Sequence, residues 1–560
     1  MKQVKASYLS IPFAIFIFFA SSYLLTAGGH FYYQDGYHKY LVVDSIVKGE
    51  GGFHKQMYVI GKEGKRTESY PIGSSLWMTP FYILGLINFN LFHAVLPAKI
   101  AANAMFITSF FTMLLNSFAV AGICALFYMI CRRLEYPSRT SFLATLILGF
   151  ATMMWPFSKF CFSEPQAAFF LLIFFYLCLG LSEGCTVKKI VCAGLCYGCA
   201  VITKYEVLFL LPAVVSYIFY QLRAEAANRR GQYVVCFLMV LALFCMSILL
   251  WNQYRFGHWF AFGRYQYFIN RVPKKFMTIL GYVSACAILL KLYLQFPRFA
   301  SIIRRWTALM SMVFFTWLML TFILNPKTNI VAFRVLFSSG KSIFVFAPVL
   351  ILSAIGLKRF MKDHRAEGLF IVGCFTLYLL LLHSETIWTW GSRYYVSLVP
   401  FFMMPIAGFL SDFPKQSVVK GLACAVIVFS LVIQILGISV NYQDSLNTID
   451  RLVAQDLEIA IDGYDTEAMH VFSRLIYDPA YSPIVAQFLV LRGVLTHQYP
   501  DFDPSFKTKV GVREPNNWMI DFWWLYLIKQ GLPAQMIYAI VFLLLCISAG
   551  TFRILMKKFF

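Results

Sequence analysis

The sequence predicts an all-α, polytopic membrane protein of about fourteen transmembrane helices. Three observations carry that expectation. Of 560 residues, 60% are hydrophobic and only 13% charged, with a mean hydropathy of +0.68, too apolar for a soluble protein with a wet surface. The apolar residues come in continuous runs near the ~20 residues a helix needs to cross a bilayer, not in the alternating ten-residue segments of a membrane barrel. The basic residues recur between runs, and assigning them to the cytoplasm gives a self-consistent threading. That assignment accounts for the net charge of +22 without invoking nucleic acid. The same composition excludes disorder, collagen and coiled coil.

The run at 9–27 follows Lys2 and Lys5 without a clear A-x-A-like cleavage site, and reads as span one, exiting to the outside. Residues 28–98 form a first outer loop. Its apolar stretch at 74–89 reads as a helix at the outer interface, because counting it as a span would put Arg132, Arg133 and Arg139 outside. Spans follow at 101–131, 140–157 and 165–182, then a short pair at 190–203 and 205–220 with Lys204 at its tip. Span seven, 233–251, leads to an outer loop at 252–275, and 276–295 with 306–324 forms a hairpin. After an outer loop at 325–341 come spans at 342–357, 368–383, 394–411 and 418–438. The polar segment 439–535 is expected outside, as a small helical cap packed on the membrane part, and 536–560 is the last span with a basic tail. The even count leaves both termini in the cytoplasm. Residues 1–438 therefore form the main transmembrane domain. The fourteen cysteines lie mostly within apolar runs, as Cys192, Cys196 and Cys199 do, and read as packing rather than as zinc ligands or disulfides.

The outer loops hold the unusual chemistry. Asp35 stands just beyond span one; it is either a helix N-cap or one of two acids at this face. Glu164 opens the span that follows Ser163, where an acid also suits the helix dipole. Lys204, Arg264, Lys341 and Arg393 all fall at the outer end of a span, against the positive-inside bias. A cation kept there needs an anion: a lipid headgroup, or the phosphate of a bound lipid carrier. Ser338–Ser342 is not a nucleotide-binding loop, since it lacks the first Gly and lies outside. No histidine has metal-ligand spacing. The two acids could hold a divalent cation, but no ligand set is visible.

Taken in order, these stretches resemble the GT-C class of polytopic glycosyltransferases. The likeness is nearest to the bacterial branch related to protein O-mannosyltransferases and the lipid A aminoarabinose transferase. Asp35 matches the acid after span one, Tyr70-Pro71-Ile72-Gly73 the start of an interfacial helix, and Glu164 the acid opening a later outer helix. Gly198 to Lys204, Asn252 to Gly257, Ser338 to Pro348 and Trp390 to Pro400 match the motifs that follow. Two features depart from the class: Gly36 stands where an Asp-Glu pair is common, and the 276–325 hairpin looks like an insertion.

The resemblance implies a polyprenyl-phosphate sugar donor and an envelope glycolipid, glycan or protein as acceptor, with inversion at the anomeric carbon. Asp35, with Glu164, would serve the acceptor. Arg393, Lys341, Lys204 and Arg264 would hold the donor phosphate. Tyr37, Tyr265, Trp388 and Trp390 would stack on sugars, unless they simply form the aromatic belt of the interface. It also implies a bacterial inner membrane, with the site facing the periplasm. Two other readings remain. A lipid-linked polysaccharide polymerase or ligase would concentrate its Arg and His in the late outer segment, and a transporter would show paired broken helices in two repeated halves.

Overall fold

A computed structural model of the chain describes residues 2–32, 34–101, 103–261, 326–382, 389–413, 416–456, 473–498 and 518–560. The hairpin expected at 276–325, and Arg264, Tyr265 and Trp388, lie outside the described residues. Within them the protein is mostly helical; the strands are the two-residue pair β1 (Val59–Ile60) and β2 (Arg66–Thr67), antiparallel to each other.

Six helical stretches are long and apolar enough to cross a membrane by length and composition: Ile72–Phe92, Ala104–Arg133, Ala227–Phe256, Arg393–Ser411, Ser417–Ser439 and Ala534–Phe559. Shorter apolar helices include Ile11–Thr26, Ser163–Leu179 and Tyr205–Gln221. Several of the fourteen expected spans thus fall short of full crossing length. The run at 140–157, for example, divides into Ser138–Phe150 and Met154–Lys159, with Ala151 to Met153 between them. Ile72–Phe92 is a single 21-residue helix; only the charge rule distinguishes it from a span.

The helices are numbered here in chain order. α1 (Lys2–Thr26) buries Ile15, Phe19 and Tyr23 completely, and packs on α5 (Leu115–Arg133) and α11 (Ala534–Phe559). α2 (Gln34–Val47) packs on α3 (Ile72–Phe92), with α4 (Ala104–Met113) also against α3. α6 (Ser163–Leu179), α7 (Val187–Thr203) and α8 (Ala227–Phe256) pack side by side. α9 (Ser417–Ser439) leads into the outer segment and its first helix, α10 (Tyr442–Asp456). The outward faces of α8 and α11 expose Leu243, Phe542 and Leu543, the apolar surface that lipid covers and water does not.

The described parts of the late segment are tied to the membrane helices. Val440 bridges to Ile520, and Asp521 next to it enters a buried cluster. Asp521 Oδ1 lies 2.7 Å from His30 Nε2, and Oδ2 accepts from the Tyr32 hydroxyl at 2.7 Å and from Lys159 Nζ at 2.8 Å. Lys159 also donates to the carbonyls of Ile438 and Asp521. Three distant stretches of chain therefore meet on one carboxylate.

Candidate active site

Asp35 sits in the first turn of α2, the next helix after α1. It is inside the helix and does not cap it. Its Oδ2 is 2.6 Å from Arg393 Nη1, and its Oδ1 accepts from the Tyr70 hydroxyl at 2.5 Å. Both carboxylate oxygens are thus committed to side chains distant in sequence, which removes the N-cap reading. Burial alone would raise this carboxyl. The Arg393 and Lys39 charges and the Tyr70 hydrogen bond outweigh it and hold the group well below the usual carboxylate range.

Arg393 opens a short 3-10 turn and points back into the bundle. Its Nε donates to Glu164 Oε1 at 2.8 Å, so one guanidinium joins the two acids. Its face lies 4.0 Å from the Phe162 ring centroid, which fixes the plane of the fork. Glu164, in the first turn of α6, is fully buried, and its Oε1 also accepts from Lys204 Nζ at 2.8 Å. Glu206, beside Lys204 in sequence, is the more distant partner at 4.0 Å. Lys204 follows the last residue of α7, where α3 comes in closely. A Cβ on Gly73 would lie 2.7 Å from the Ile202 and Thr203 backbone, so only glycine permits this approach.

The sequence reading missed three functional side chains. Lys39 stands one helical turn after Asp35, is 1% exposed, and among the described residues its Nζ has no hydrogen-bond partner. It lies 5.5 Å from the Tyr70 ring centroid. Burial draws its ammonium below the ordinary lysine value, with Asp35 acting in the opposite sense. Glu164 Oε2 is likewise without a hydrogen bond. Tyr70 and Arg255 lay inside quoted motifs without a role. Arg255 donates to the carbonyls of Glu68 and Tyr70, and so sets the strand that delivers the Tyr70 hydroxyl. The i, i+4 relation of Asp35 and Lys39 was the available signal for Lys39.

Of the expected site residues, Asp35, Glu164, Lys204 and Arg393 converge. Lys341 does not join them: its Nζ donates to the Thr389 carbonyl at 2.6 Å and the Gly391 carbonyl at 3.1 Å. These bonds tie it to the loop that presents Arg393. Trp390 is corrected too. It is fully buried against Phe346 and Tyr442, so its faces are filled by protein and not open to a sugar. Tyr37 is half-buried and donates to Gln56 at 2.6 Å. Among the described residues no three His, Cys, Asp or Glu side chains group as metal ligands, and Arg393 lies between the two acids that were considered for a cation.

Residues 76–268, about a third of the chain, match the family model described as dolichyl-phosphate-mannose-protein mannosyltransferase. That stretch holds Glu164, Lys204 and Arg255; Asp35, Lys39 and Arg393 lie outside it. Among solved structures the chain is similar to the oligosaccharyltransferase AglB of Archaeoglobus fulgidus in complex with an inhibitory peptide and a dolichol-phosphate. Identity is 13% and the TM-score 0.46, over 86% of this chain and 61% of that one. The Archaeoglobus fulgidus oligosaccharyltransferase in its apo form gives 12% and 0.45, over 89% and 64%. The chain thus spans about three fifths of the length of those proteins. No curated protein matches the sequence.

Proposed function

We propose that this chain is a membrane glycosyltransferase that moves a sugar from a polyprenyl-phosphate carrier to an acceptor outside the cytoplasm, with inversion. One observation carries the reading: a guanidinium shared by two acids, beside a buried ammonium with no hydrogen-bond partner. Lys39, Lys204 and Arg393 face Asp35 and Glu164, with the part-exposed Glu206 more distant at 4.0 Å from Lys204, and among the described residues Lys39 Nζ has no hydrogen-bond partner, which leaves its donors for an incoming anion. The family match over 76–268 supports the same class.

The arrangement couples donor binding to base activation. A donor phosphate on Lys39 competes with Asp35 for the Arg393 fork, while Glu164, held by Lys204, keeps the guanidinium in place. Asp35, released from its strongest positive neighbour, becomes a better proton acceptor. The acceptor hydroxyl oxygen then bonds to the anomeric carbon as the bond from that carbon to the phosphate oxygen breaks. Asp35 takes the hydroxyl proton, and the lipid phosphate leaves with the electron pair, its charge met by Arg393 and Lys39. An acceptor that is already an anionic phosphate needs no base, and Asp35 then only positions it. The accompanying topology has about fourteen crossings, both termini in the cytoplasm and the site on the outer face of a bacterial inner membrane.

Mass spectrometry of envelope glycolipids and glycoproteins, with and without the gene, tests the reading. It expects one sugar to be missing from one acceptor while its polyprenyl-phosphate donor accumulates. An unchanged glycan profile with a long undecorated lipid-linked polymer would count for a polymerase instead.

A further inference from the structure

We propose that a concavity between the loop that follows α2 and the end of α8 is the acceptor subsite, and that it takes an acidic saccharide, one bearing carboxylate or phosphate. The proposal rests on the transfer reading and adds the chemical class of the acceptor. The cavity has a volume of about 650 Å³, and the reaction at Asp35 leaves it unused. Lys55, Lys65 and Arg66 line it against a single acid, Glu50. All three cations are exposed, and Lys55 and Arg66 make no ion pair among the described residues. Lys65 has only a loose one, 3.4 Å to Glu63. Cations gathered in an outer loop run against the positive-inside bias, so an anion that meets them there is the physical expectation.

The remaining wall is aromatic. Phe53 and Tyr254 face the cavity with ring centroids 5.4 Å apart, and Tyr254 stacks on Trp251 at 5.6 Å and 22°. An apolar ring face beside a fork of cations suits a pyranose that carries an acidic group, since the ring covers C–H faces while the cations meet the oxygens. The shape is built into the backbone. Gly49, Gly51 and Gly52 have φ of 81°, 66° and 87°, a left-handed turn that side chains rarely adopt. A Cβ on Gly51 would lie 2.3 Å from the Tyr254 hydroxyl, and one on Gly52 2.7 Å from Trp251. The last turns of α8 can dock here only against glycine.

The cavity also lies close to the chemistry. β2 is Arg66–Thr67, and three residues beyond its end stands Tyr70, whose hydroxyl meets Asp35. Four residues span at most about 14 Å. A short oligosaccharide seated on Arg66 and Lys65 would therefore bring a neighbouring hydroxyl towards Asp35.

The test uses the full-length protein in nanodiscs of zwitterionic lipid, with soluble oligogalacturonate and a neutral maltooligosaccharide of equal length as probes. Calorimetry on wild type, on the pair Lys55→Ala with Arg66→Ala, and on Tyr254→Ala reads the binding. The expected result is at least about tenfold preference for the acidic probe, lost in the paired variant and weakened in Tyr254→Ala. Donor affinity and melting temperature should stay at wild-type values. Equal binding of the two probes, or binding indifferent to the paired substitution, would overturn the proposal. So would a protein that binds vesicles of anionic lipid through these cations but no saccharide. Loss of saccharide binding with donor binding intact counts against this inference alone. Absent donor binding with saccharide binding intact counts against the transfer reading.

Discussion

Arg393 donates to Asp35 through Nη1 and to Glu164 through Nε, so neither acid can be altered without moving the other's partner. Asn at position 35 keeps the size of the side chain and its place in α2 but removes the charge that takes the proton. With a hydroxyl acceptor, Asp35→Asn should leave detergent-extracted yield near wild type and donor binding at least as tight, since the competitor for the Arg393 fork is gone, and lower the transfer rate by about a hundredfold or more. A loss under about threefold would return Asp35 to a purely structural role. The pH dependence follows from the same contacts. The folded carboxyl is held below its unfolded value of about 3.9, so its contribution to stability is fully present above that value. It is lost only as pH falls through the lowered folded value. Asp35 is accordingly ionised in the free enzyme at neutral and mildly acidic pH. The donor kcat/KM measured from about pH 5 to 8 should show no acidic limb attributable to Asp35. An acidic limb in that range that disappears in Asp35→Asn would contradict this.

Among the elements, the connection between the outer segment and the membrane part turns on Asp521. Burial would raise its carboxyl, but Lys159 and His30 more than offset this and hold it far below the usual range. Removing the carboxylate leaves Lys159 buried with carbonyl partners only, and breaking such a buried pair costs about 3–5 kcal/mol. Asp521→Ala should therefore lower the melting temperature and open the 439–535 segment to limited proteolysis, which gel analysis of intact nanodiscs would read. Unchanged melting and cleavage would show that α10 and its neighbours dock without this cluster. The sequence reads 439–535 as a long polar stretch, but the contact that anchors its described part was not legible. His30, Lys159 and Asp521 are separated by well over a hundred residues each, and no local pattern joins them. The same contrast holds at the site. Asp35, Glu164, Lys204 and Arg393 could be read because each is an ionisable group at the end of an apolar run, where such groups need partners. Lys341 fitted that description equally well. Its bonds are to the carbonyls of Thr389 and Gly391, which only the folded chain brings to it. Trp390 reads in sequence as a sugar-stacking or interfacial ring, whereas its burial depends on Phe346 and Tyr442.

For the whole molecule, the account requires the segments around 35, 164, 204 and 393 to share one face of the membrane. Single cysteines placed at Lys62 and Lys557 should respond oppositely to an impermeant maleimide in intact cells, with Lys62→Cys labelled and Lys557→Cys protected. Labelling of both, or of Lys557→Cys alone, would break the threading on which a single outer site depends. The convergence itself makes a stronger demand: the guanidinium that links two acids in the free protein must exchange one of them for the lipid phosphate. Lys at position 393 keeps the charge but cannot span both acids or grip a phosphate with two parallel donors. Titration of a purified polyprenyl-phosphate sugar against wild type, Arg393→Lys and Arg393→Ala is the most direct measurement. The account predicts donor affinity falling in that order, with Arg393→Ala weakened by about tenfold or more. Equal donor affinity in all three proteins would contradict it.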